Sequence, residues 1–295
     1  MTVFNGMPFV KAAVQSIFDQ TLSDFEFIIV NDGSTDGTAE WLKSLDDPRL
    51  RIVHQENAGQ QDAARTGISL AKSGIIARMD GDDIALPERL QKQVDFLTQN
   101  KDVGLVGSQI YRLVGETSCL PSSLPCDHEH IFHDLIHNRH AMCNSSSTFR
   151  KELFETVGGY WDHDIAEDWD MFLRLGEVAK LANIDEPLLA VRMHSSSING
   201  RRMLDSQIHN EFACELARRR DQKLPPISLD EFKTNSKLFK WPWAWLFKMD
   251  CFSVSLYRIA IAEIYGGHPI KGRLRMFAAM LCSPKRTFQR ILRIF

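Results

Sequence analysis

The first hundred residues alternate between short apolar runs and longer stretches with helical periodicity. Apolar residues dominate positions 25–30 and 74–79, which is typical of buried strands. After Pro8, apolar residues recur every three or four positions, as on one face of a helix. Strands alternating with helices predict right-handed βαβ units, a largely parallel sheet and an α/β fold. The predicted strands are 25–30, 50–53, 74–79 and 103–110 with a hairpin over 111–119, and the predicted helices begin at Pro8 and cover 61–72, 88–99 and 203–220.

Carboxylates cluster where the strand at 74–79 ends. Asp80, Asp82 and Asp83 follow it directly. In open α/β sheets, ligands bind at the carboxyl ends of the strands. Adjacent like charges repel unless a positive partner lies among them, and Mg²⁺ or Mn²⁺ bridging phosphate oxygens is the usual partner. Taken alone, the tetrapeptide 80–83 favours an acidic surface turn that caps the next helix, because D-x-D is common by chance.

Asp32 follows the strand at 25–30, so it is expected at the same sheet edge as Asp80. A carboxylate there can accept hydrogen bonds from a base or from ribose hydroxyls. The loop 31–37 also resembles a calcium loop. Its twelfth position, counted from Asp32, is Lys43 rather than Glu, which argues against calcium.

Composition and charge narrow the classes of protein. The chain has 295 residues, enough for one large domain or a domain with an appendage. Residues 236–295 contain eleven Lys and Arg and two acidic residues, a net charge of +9. Because the whole chain has a net charge of −3, the first 235 residues have a net charge of −12. Six scattered cysteines without a CxxC pair favour a reducing compartment. Neither a signal peptide nor an apolar run of the ~18–20 residues of a spanning helix is visible.

Four motifs occur together in a fixed order. They are 2–6 (TVFNG), 27–36 (FIIVNDGSTD), 57–59 (NAG) with Ala64 and Arg65, and the DXD motif at 80–83 (DGDD). In this order they resemble the family 2 glycosyltransferases, which are inverting, nucleotide-sugar-dependent enzymes with the GT-A fold. The resemblance extends to about Asn199, roughly two thirds of the chain.

The resemblance implies roles for residues in the first half. Asp32 would hold the nucleoside, often uridine, Asp80 would contact the ribose, and Asp82 would bind Mn²⁺ or Mg²⁺ on the diphosphate. Phe4 and Asn5 belong to the first of these nucleotide-binding motifs. Arg65 would lie near the nucleotide, although a solvated charge on a helix face is a reasonable alternative.

Further motifs resemble the acceptor half of the same family. Glu167, Asp168 and Trp169 match its ED segment, in which the Asp is the general base. The plain alternative is a pair of acidic residues that favours the start of a helix. Asp170 is expected to be solvated or to cap the helix. By the same resemblance, the acceptor or the donor sugar would be contacted by Gly159, Tyr160, Glu167 and Trp169. His194, in an R-x-H-x-x-S segment, would bind the metal or lie near the diphosphate.

Three features depart from the family or suggest another site. The first strand lacks four or five apolar residues that usually precede the position of Thr2, which predicts a short central strand. Thr66 stands where the family often has Asn. His133 and His137 are four residues apart, a spacing that can chelate zinc on a helix, but the neighbouring apolar residues favour an amphipathic surface helix.

These observations predict a GT-A domain over 1–222, with a nucleotide half at 1–110 and an acceptor half at 111–222, and a helical extension over 223–295. The extension mixes aromatic and basic residues, which predicts either peripheral contact with an anionic membrane or a packed helical or oligomeric element. The family resemblance implies a cytoplasmic location, with a peripheral position on the inner face of the cytoplasmic membrane as the alternative, and nucleic acid is not an expected partner.

The predicted activity is metal-dependent, inverting transfer of a sugar from a UDP-sugar or similar donor to a hydroxyl of a glycan or lipid-linked acceptor, in bacterial surface-polysaccharide biosynthesis. One alternative is a phosphatase of the haloacid dehalogenase type, which also has a strand ending in D-x-D. That family has Thr or Val where this chain has Ile84. The other alternative is an inactive glycosyltransferase fold acting as a membrane scaffold.

Overall fold

The computed structural model describes residues 1–114, 117–161, 165–193, 203–265 and 267–284. The chain divides into two compact units. The first comprises Met1–Tyr111 and Leu124–Val191, and the second comprises Arg112–Ser123 and Arg192–Phe295. The functional boundary between 222 and 223 stays a prediction.

A three-stranded parallel sheet lies in the first unit. β1 (Thr2–Val3) pairs with β2 (Phe27–Asp32), which pairs along its whole length with β3 (Leu50–Gln55). All six residues of β2 are buried, as expected of a central parallel strand covered on both faces. The helices of this region are α1 (Val10–Phe18), α2 (Thr38–Lys43) and α3 (Gln60–Leu70). The predicted alternation of strands and helices is confirmed, and β1 is as short as the sequence predicted.

A second sheet has six strands. Five follow the order β4 (Ile75–Ala77), β8 (Thr148–Arg150), β6 (Val103–Val114), β9 (Lys180–Arg192) and β5 (Ile84–Ala85). β7 (Thr117–Pro121) pairs with β6, which confirms the predicted hairpin. β4 and β6 each run antiparallel to β8, and β5 runs antiparallel to β9.

The strand at 74–79 differs from its prediction. It was expected to be buried in the parallel sheet, but β4 pairs antiparallel with β8 and its residues are partly or fully exposed. The reason is that β4 is an edge strand, with a neighbour on one side only. The chain meets the parallel sheet again at Asp80, through a single parallel bridge to Thr2. This bridge brings the aspartates beside the end of β1.

Four more helices belong to the first unit: α4 (Arg89–Gln99), α5 (His128–Ile136), α6 (Lys151–Thr156) and α7 (Glu167–Val178). In α5, Ile131 and Leu135 are fully buried, while the rings of His133 and His137 are 4.4 Å apart, centroid to centroid, on the solvent side. The Nδ1 atom of His137 lies 2.7 Å from the His133 carbonyl oxygen. This confirms the amphipathic surface helix.

The second unit is helical after residue 202 in its described part. Its helices are α8 (Met203–Asp221), α9 (Leu229–Asn235), α10 (Trp243–Tyr265) and α11 (Pro269–Cys282). Met203 packs with Phe247, Cys251 and Val254, which joins α8 to α10. The predicted helical extension is confirmed. Among the described residues, every helix is too short or too polar to cross a membrane.

Candidate functional site

The three aspartates that follow β4 converge on one point. Asp80, Asp82 and Asp83 each place a carboxylate oxygen within 4.8 Å of the others. Asp83 is 3% exposed, and the other two are partly exposed. Carboxylate oxygens are the hard ligands that Mg²⁺ and Mn²⁺ prefer, and Mg²⁺ keeps open positions for phosphate oxygens and water. The donor set therefore fits such an ion.

Gly81 lets this turn approach β1 closely. A Cβ atom at position 81 would lie 3.3 Å from the Thr2 carbonyl oxygen and 3.3 Å from the Val3 side chain. The backbone N–H of Asp80 donates to the hydroxyl of Ser145 at 3.0 Å. The turn is therefore held from two sides, and a larger residue at position 81 would push it away from β1.

A buried arginine lies beside the aspartates. Arg78 is 6% exposed and forms an ion pair with Asp80. The same Asp80 oxygen accepts a hydrogen bond of 3.1 Å from the amide of Gln60. Burial alone would lower the pKa of the Arg78 guanidinium, but the charges of Asp80 and Glu167 raise it above its ordinary value. Arg78 is thus a fixed positive charge next to the acidic cluster.

Arg89, at the start of α4, is a site residue that the sequence did not reveal. It is fully buried, its Nη2 donates to the Arg78 carbonyl at 2.5 Å and its Nε donates to Gln93 at 3.1 Å. Its Nη1 has no hydrogen-bond partner among the described residues. Burial lowers the pKa of Arg89 to about 10, and the nearby Asp83 opposes that change. In sequence, an Arg after Pro-Glu resembles an ordinary solvated helix charge.

Asp32 shapes the loop that follows β3. Its carboxylate accepts hydrogen bonds from the backbone N–H groups of Ala58 and Gly59, both at 2.9 Å, and from the Gln55 amide at 2.8 Å. The residue is 2% exposed. Gly59 has a φ of +96°, which an L-residue rarely adopts. The predicted nucleoside contact of Asp32 stays a prediction, and the structure adds this loop-ordering role.

The loop after β1 is fastened to the loop after β2. The Asn5 side chain accepts from the Thr35 N–H at 2.8 Å, and the Asn5 N–H donates to the Ser34 hydroxyl at 2.9 Å. The Met7 N–H donates to Asp36 at 2.9 Å. Phe4 remains 53% exposed between these tethers. An exposed ring on an ordered loop is a surface on which a planar ligand can stack.

The predicted general base lies in the first turn of α7. Burial, together with the charge of Asp168, raises the pKa of Glu167 to about 7. Burial likewise raises the pKa of Asp168, against the hydrogen bond from the Trp169 N–H at 2.8 Å and the charge of Arg78. Two adjacent carboxylates with raised pKa values bind a proton more strongly than ordinary acidic side chains do, which suits them to act as a base.

Tyr160 and Trp169 lie largely inside the protein. Tyr160 is 3% exposed, and its side chain interacts with that of Arg78. Burial and the charges of Glu167 and Asp168 raise the Tyr160 pKa, against the opposing charge of Arg78. Trp169 is 7% exposed, and its indole N–H donates to the Leu135 carbonyl at 3.2 Å. The structure thus gives Trp169 a packing role between α5 and α7, and its sugar contact stays a prediction.

Two arginines hold the turn at 157–161. Arg65 of α3 donates to the carbonyls of Tyr160 and Trp161, both at 2.7 Å, instead of pointing freely into solvent. Arg174 of α7 donates to the carbonyl of Gly159 at 2.6 Å and to that of Val157. Gly158 and Gly159 of the turn have positive φ values of +86° and +67°, which residues with a Cβ atom rarely adopt.

Asp170 corrects one prediction. It was expected to be solvated or to cap α7, but it is 2% exposed and forms an ion pair with Arg174. A buried carboxylate without a partner would be costly, and the guanidinium one helical turn away supplies the opposite charge. Asp170 therefore holds Arg174, which in turn holds the glycine turn.

In the first unit, the structure brings together the aspartate cluster, Arg78, Tyr160 and the pair Glu167–Asp168. These groups are close enough for their charges to change one another's pKa values. Asp32, Phe4 and Asn5 lie at or just beyond the carboxyl ends of β1 and β2. His194 lies outside the described residues.

Comparison with known proteins assigns the family. The sequence model described as glycosyl transferase family 2 matches residues 1–158, more than half of the chain. The chain belongs to glycosyl transferase family 2. Membership decides against the dehalogenase-type phosphatase, confirms the resemblance found in the sequence and identifies the chain as a glycosyltransferase.

Relatives of this family-2 enzyme include the O-antigen biosynthesis glycosyltransferase WbnJ of Escherichia coli, which is 32% identical over 203 residues, 67% of this chain and 79% of the relative. The amylovoran biosynthesis glycosyltransferase AmsE of Erwinia amylovora is 27% identical over 198 residues, 65% of this chain and 73% of the relative.

Solved structures share the fold of the family-2 chain. TarS 1–349 of S. aureus in complex with UDP-GlcNAc superposes with a TM-score of 0.58 at 13% identity, over 95% of this chain and 89% of that one. The mannosyltransferase PcManGT of Pyrobaculum calidifontis, in complex with GDP-Man and Mn²⁺, gives 0.57 at 20% identity, over 97% and 81%. These likenesses confirm the GT-A fold.

Proposed function

We propose that this enzyme transfers a sugar, with inversion, from a nucleotide diphosphate donor such as a UDP-sugar to a hydroxyl of a glycan or lipid-linked acceptor, with Mn²⁺ or Mg²⁺ as cofactor. The observation that carries the proposal is that two clusters of carboxylates share one electrostatic environment. The cluster Asp80–Asp83 fits a cation, the pair Glu167–Asp168 has raised pKa values, and Arg78 acts on both groups.

The donor would be held by its nucleotide. We assign the nucleoside to Asp32, Asn5 and Phe4, whose exposed ring offers a stacking surface, and the ribose to Asp80. Arg65 is assigned to the neighbourhood of the nucleotide by resemblance. Uridine is the proposed base because the family resemblance favours it and because a neighbour of the same fold binds UDP-GlcNAc. Another neighbour binds GDP-Man, so the base is the first property to test.

The diphosphate would be held at the aspartates. Asp82, with Asp80 or Asp83 and the His194 of the R-x-H-x-x-S segment, would hold the cation. When bound, the ion neutralises negative charge that develops on the departing diphosphate. Arg78 reduces the repulsion between the site and the donor, because its fixed charge offsets that of Asp80, and the cation would offset the remaining carboxylates.

Asp168 is the proposed general base. Inversion is one in-line displacement, in which the acceptor oxygen forms a bond to the anomeric carbon while the bond to the diphosphate breaks. The acceptor hydroxyl must lose its proton on the face opposite the leaving group, and a carboxylate is suited to take it. The raised pKa of Asp168 supports this role, because its carboxylate binds a proton more strongly than an ordinary aspartate does. Glu167 is the next candidate.

The acceptor half is assigned to the segment that contains Gly159, Tyr160, Glu167 and Trp169, within a catalytic domain spanning 1–222. Relatives named for O-antigen and amylovoran biosynthesis support a surface polysaccharide as the product class. The proposed location is the cytoplasmic face of a membrane, where lipid-linked acceptors are exposed to nucleotide sugars.

A donor screen tests the proposal. The thermal midpoint of the full chain is measured with UDP, GDP and their sugar derivatives, each with Mn²⁺, with Mg²⁺ and with EDTA. We expect one nucleotide to raise the midpoint, and only with a divalent cation. Asp46→Asn is the matched control, because Asp46 is exposed and outside the site. No stabilisation by any nucleotide diphosphate would overturn the proposal, and the inactive scaffold would then be the better interpretation.

A further inference from the structure

The last described helix, α11, faces solvent with its large apolar side chains. Ile270, Leu274, Phe277 and Leu281 are 76%, 66%, 61% and 70% exposed. At about 100° of rotation per residue, these four positions fall within a sector of about 60°. A contiguous exposed stripe of this kind is uncommon on a soluble protein and marks a contact surface.

The opposite side of α11 is packed through small residues. Gly272 and Ala279 are buried against α10, and the Ser253 hydroxyl donates to the Ala279 carbonyl at 3.0 Å. A Cβ atom at position 272 would lie 2.5 Å from an Ile264 side-chain carbon and 2.7 Å from the Ala260 carbonyl oxygen. This close approach to α10 fixes the rotation of α11 about its axis. The apolar stripe could turn inward only if the packing at Gly272 were lost.

Basic residues border the stripe. Lys271 and Arg273 are both exposed, and on a helical projection they lie about 90° and about 70° from its centre, on opposite sides. Long basic side chains in these positions can reach phosphate groups while the apolar residues between them insert among the acyl chains. The chain beyond 284 adds Lys285, Arg286, Arg290 and Arg293 without an acidic residue.

Aromatic residues accompany this arrangement in the same unit. Trp241, Trp243 and Trp245, which precede or begin α10, are 86%, 56% and 58% exposed. Tryptophan is favoured at the depth of lipid headgroups, because its ring is apolar and its N–H is polar.

We propose that α11 lies in the surface of an anionic lipid bilayer, with Ile270, Leu274, Phe277 and Leu281 inserted and Lys271 and Arg273 at the headgroups. The net charge favours a lipid bilayer over a second copy of the chain as the partner of this stripe. Residues 236–295 carry +9, so two such surfaces repel each other, whereas anionic lipid attracts them. The proposal does not depend on the chemistry assigned to the first unit.

Flotation of the full chain with vesicles tests the proposal. Vesicles of phosphatidylglycerol mixed with phosphatidylcholine are compared with pure phosphatidylcholine, at low and high salt. We expect binding only to the anionic vesicles, and weaker binding at high salt because screening shortens the reach of the charges. Leu274→Asp with Phe277→Asp should weaken binding by about 10- to 100-fold, since each side chain loses apolar burial.

Controls keep charge and fold constant. Val178→Asp with Leu224→Asp adds the same charge at exposed apolar positions outside α11. Lys271→Glu with Arg273→Glu is compared with Lys43→Glu and Lys101→Glu, which change charge equally at exposed positions of the first unit. Circular dichroism and thermal midpoints check that each variant is folded.

Three results would overturn the proposal: no binding to anionic vesicles, equal binding by the α11 variants and their matched controls, or equal binding to neutral vesicles. Light scattering tests the alternative that a second copy of the chain binds the apolar stripe. If the full chain is a dimer that Leu274→Asp with Phe277→Asp converts to a monomer, and neither floats, the stripe is a contact between copies.

Discussion

The guanidinium of Arg65 donates a hydrogen bond of 2.7 Å to the backbone carbonyl of Tyr160, 95 residues further along the chain. The bond joins α3, which follows the Asp32-ordered loop, to the glycine turn that precedes α7. Arg174 holds the same turn from the other side, through the carbonyl of Gly159 at 2.6 Å. The position of the Tyr160 ring beside Glu167 and Arg78 therefore depends on contacts from two helices.

We expect Arg65→Lys to lower the rate of transfer while donor affinity stays nearly unchanged. Lysine keeps the charge, but its single nitrogen cannot reach Asp62 and the carbonyls of the turn at once, as Nη1 and Nη2 of the guanidinium do. The rate constant should fall about tenfold, as expected when about 1.4 kcal/mol of positioning is lost. Calorimetry with the nucleotide and steady-state kinetics measure the two effects separately, with Arg51→Lys at an exposed position of β3 as control. If donor affinity falls instead, Arg65 contacts the nucleotide, as the family resemblance suggests.

Asp168→Asn should bind the donor normally and transfer it slowly. The amide keeps the shape of the side chain but cannot accept the acceptor proton, and loss of a general base typically lowers the rate by ~10²–10⁴. Donor calorimetry and product formation by the purified variant, beside Asp46→Asn, provide the measurement. Turnover within a few-fold of the unaltered enzyme would assign the base to another residue, with Glu167 tested next.

The stability contributed by Glu167 should depend on pH with a definite sign. Its folded-state pKa is about 7 against an ordinary value of 4.5, so the folded protein binds this proton more tightly than the unfolded chain does. That contribution is fully present below pH 4.5 and is lost as the pH rises through about 7. The change that Glu167→Gln makes to the free energy of unfolding should therefore be more stabilising at pH 8 than at pH 4, by at most about 3 kcal/mol.

Urea unfolding of both proteins at the two pH values measures that difference, with Glu56→Gln as an exposed control. A difference in unfolding free energy that is the same at pH 4 and pH 8 would contradict the raised pKa. If Glu167→Gln were less stabilising at pH 8 than at pH 4, the predicted direction of the pH dependence would also be wrong.

The local parts of this site were predictable, and the parts that depend on distant contacts were not. Asp32, Asp80, Asp82 and Asp83 stand at strand ends, so strand periodicity and the motifs located them. The pairing of β4 was predicted wrongly, because its partner β8 lies about 70 residues away and joins it through neither a hairpin nor a βαβ unit.

Buried charges were missed for a related reason. Asp170 and Arg174 have ordinary helix spacing in the sequence, which is the same whether a pair is exposed or buried. Arg89 has the same ambiguity, and only its burial behind Arg78 distinguishes it from a surface charge. A sequence pattern reports periodicity, but burial of a charge depends on which elements pack over it.

Affinity for a nucleoside diphosphate should require both a divalent cation and Asp82. The three carboxylate oxygens lie within 4.8 Å of one another, and Arg78 is ion-paired with Asp80. Without a cation, Asp82 and Asp83 would face the diphosphate as negative charges. Calorimetry with UDP should show strong binding in Mn²⁺ and weak binding in EDTA.

Asp82→Ala should lose most of the gain from Mn²⁺ and change the EDTA value little, because its carboxylate acts through the ion. Removing it also relieves repulsion, so binding in EDTA should stay equal or rise slightly. Asp46→Asn again serves as the matched control. Equal affinity for UDP with Mn²⁺ and with EDTA in the unaltered enzyme would exclude a metal role for the cluster. A loss of affinity by Asp82→Ala in EDTA alone would instead indicate that Asp82 touches the nucleotide directly.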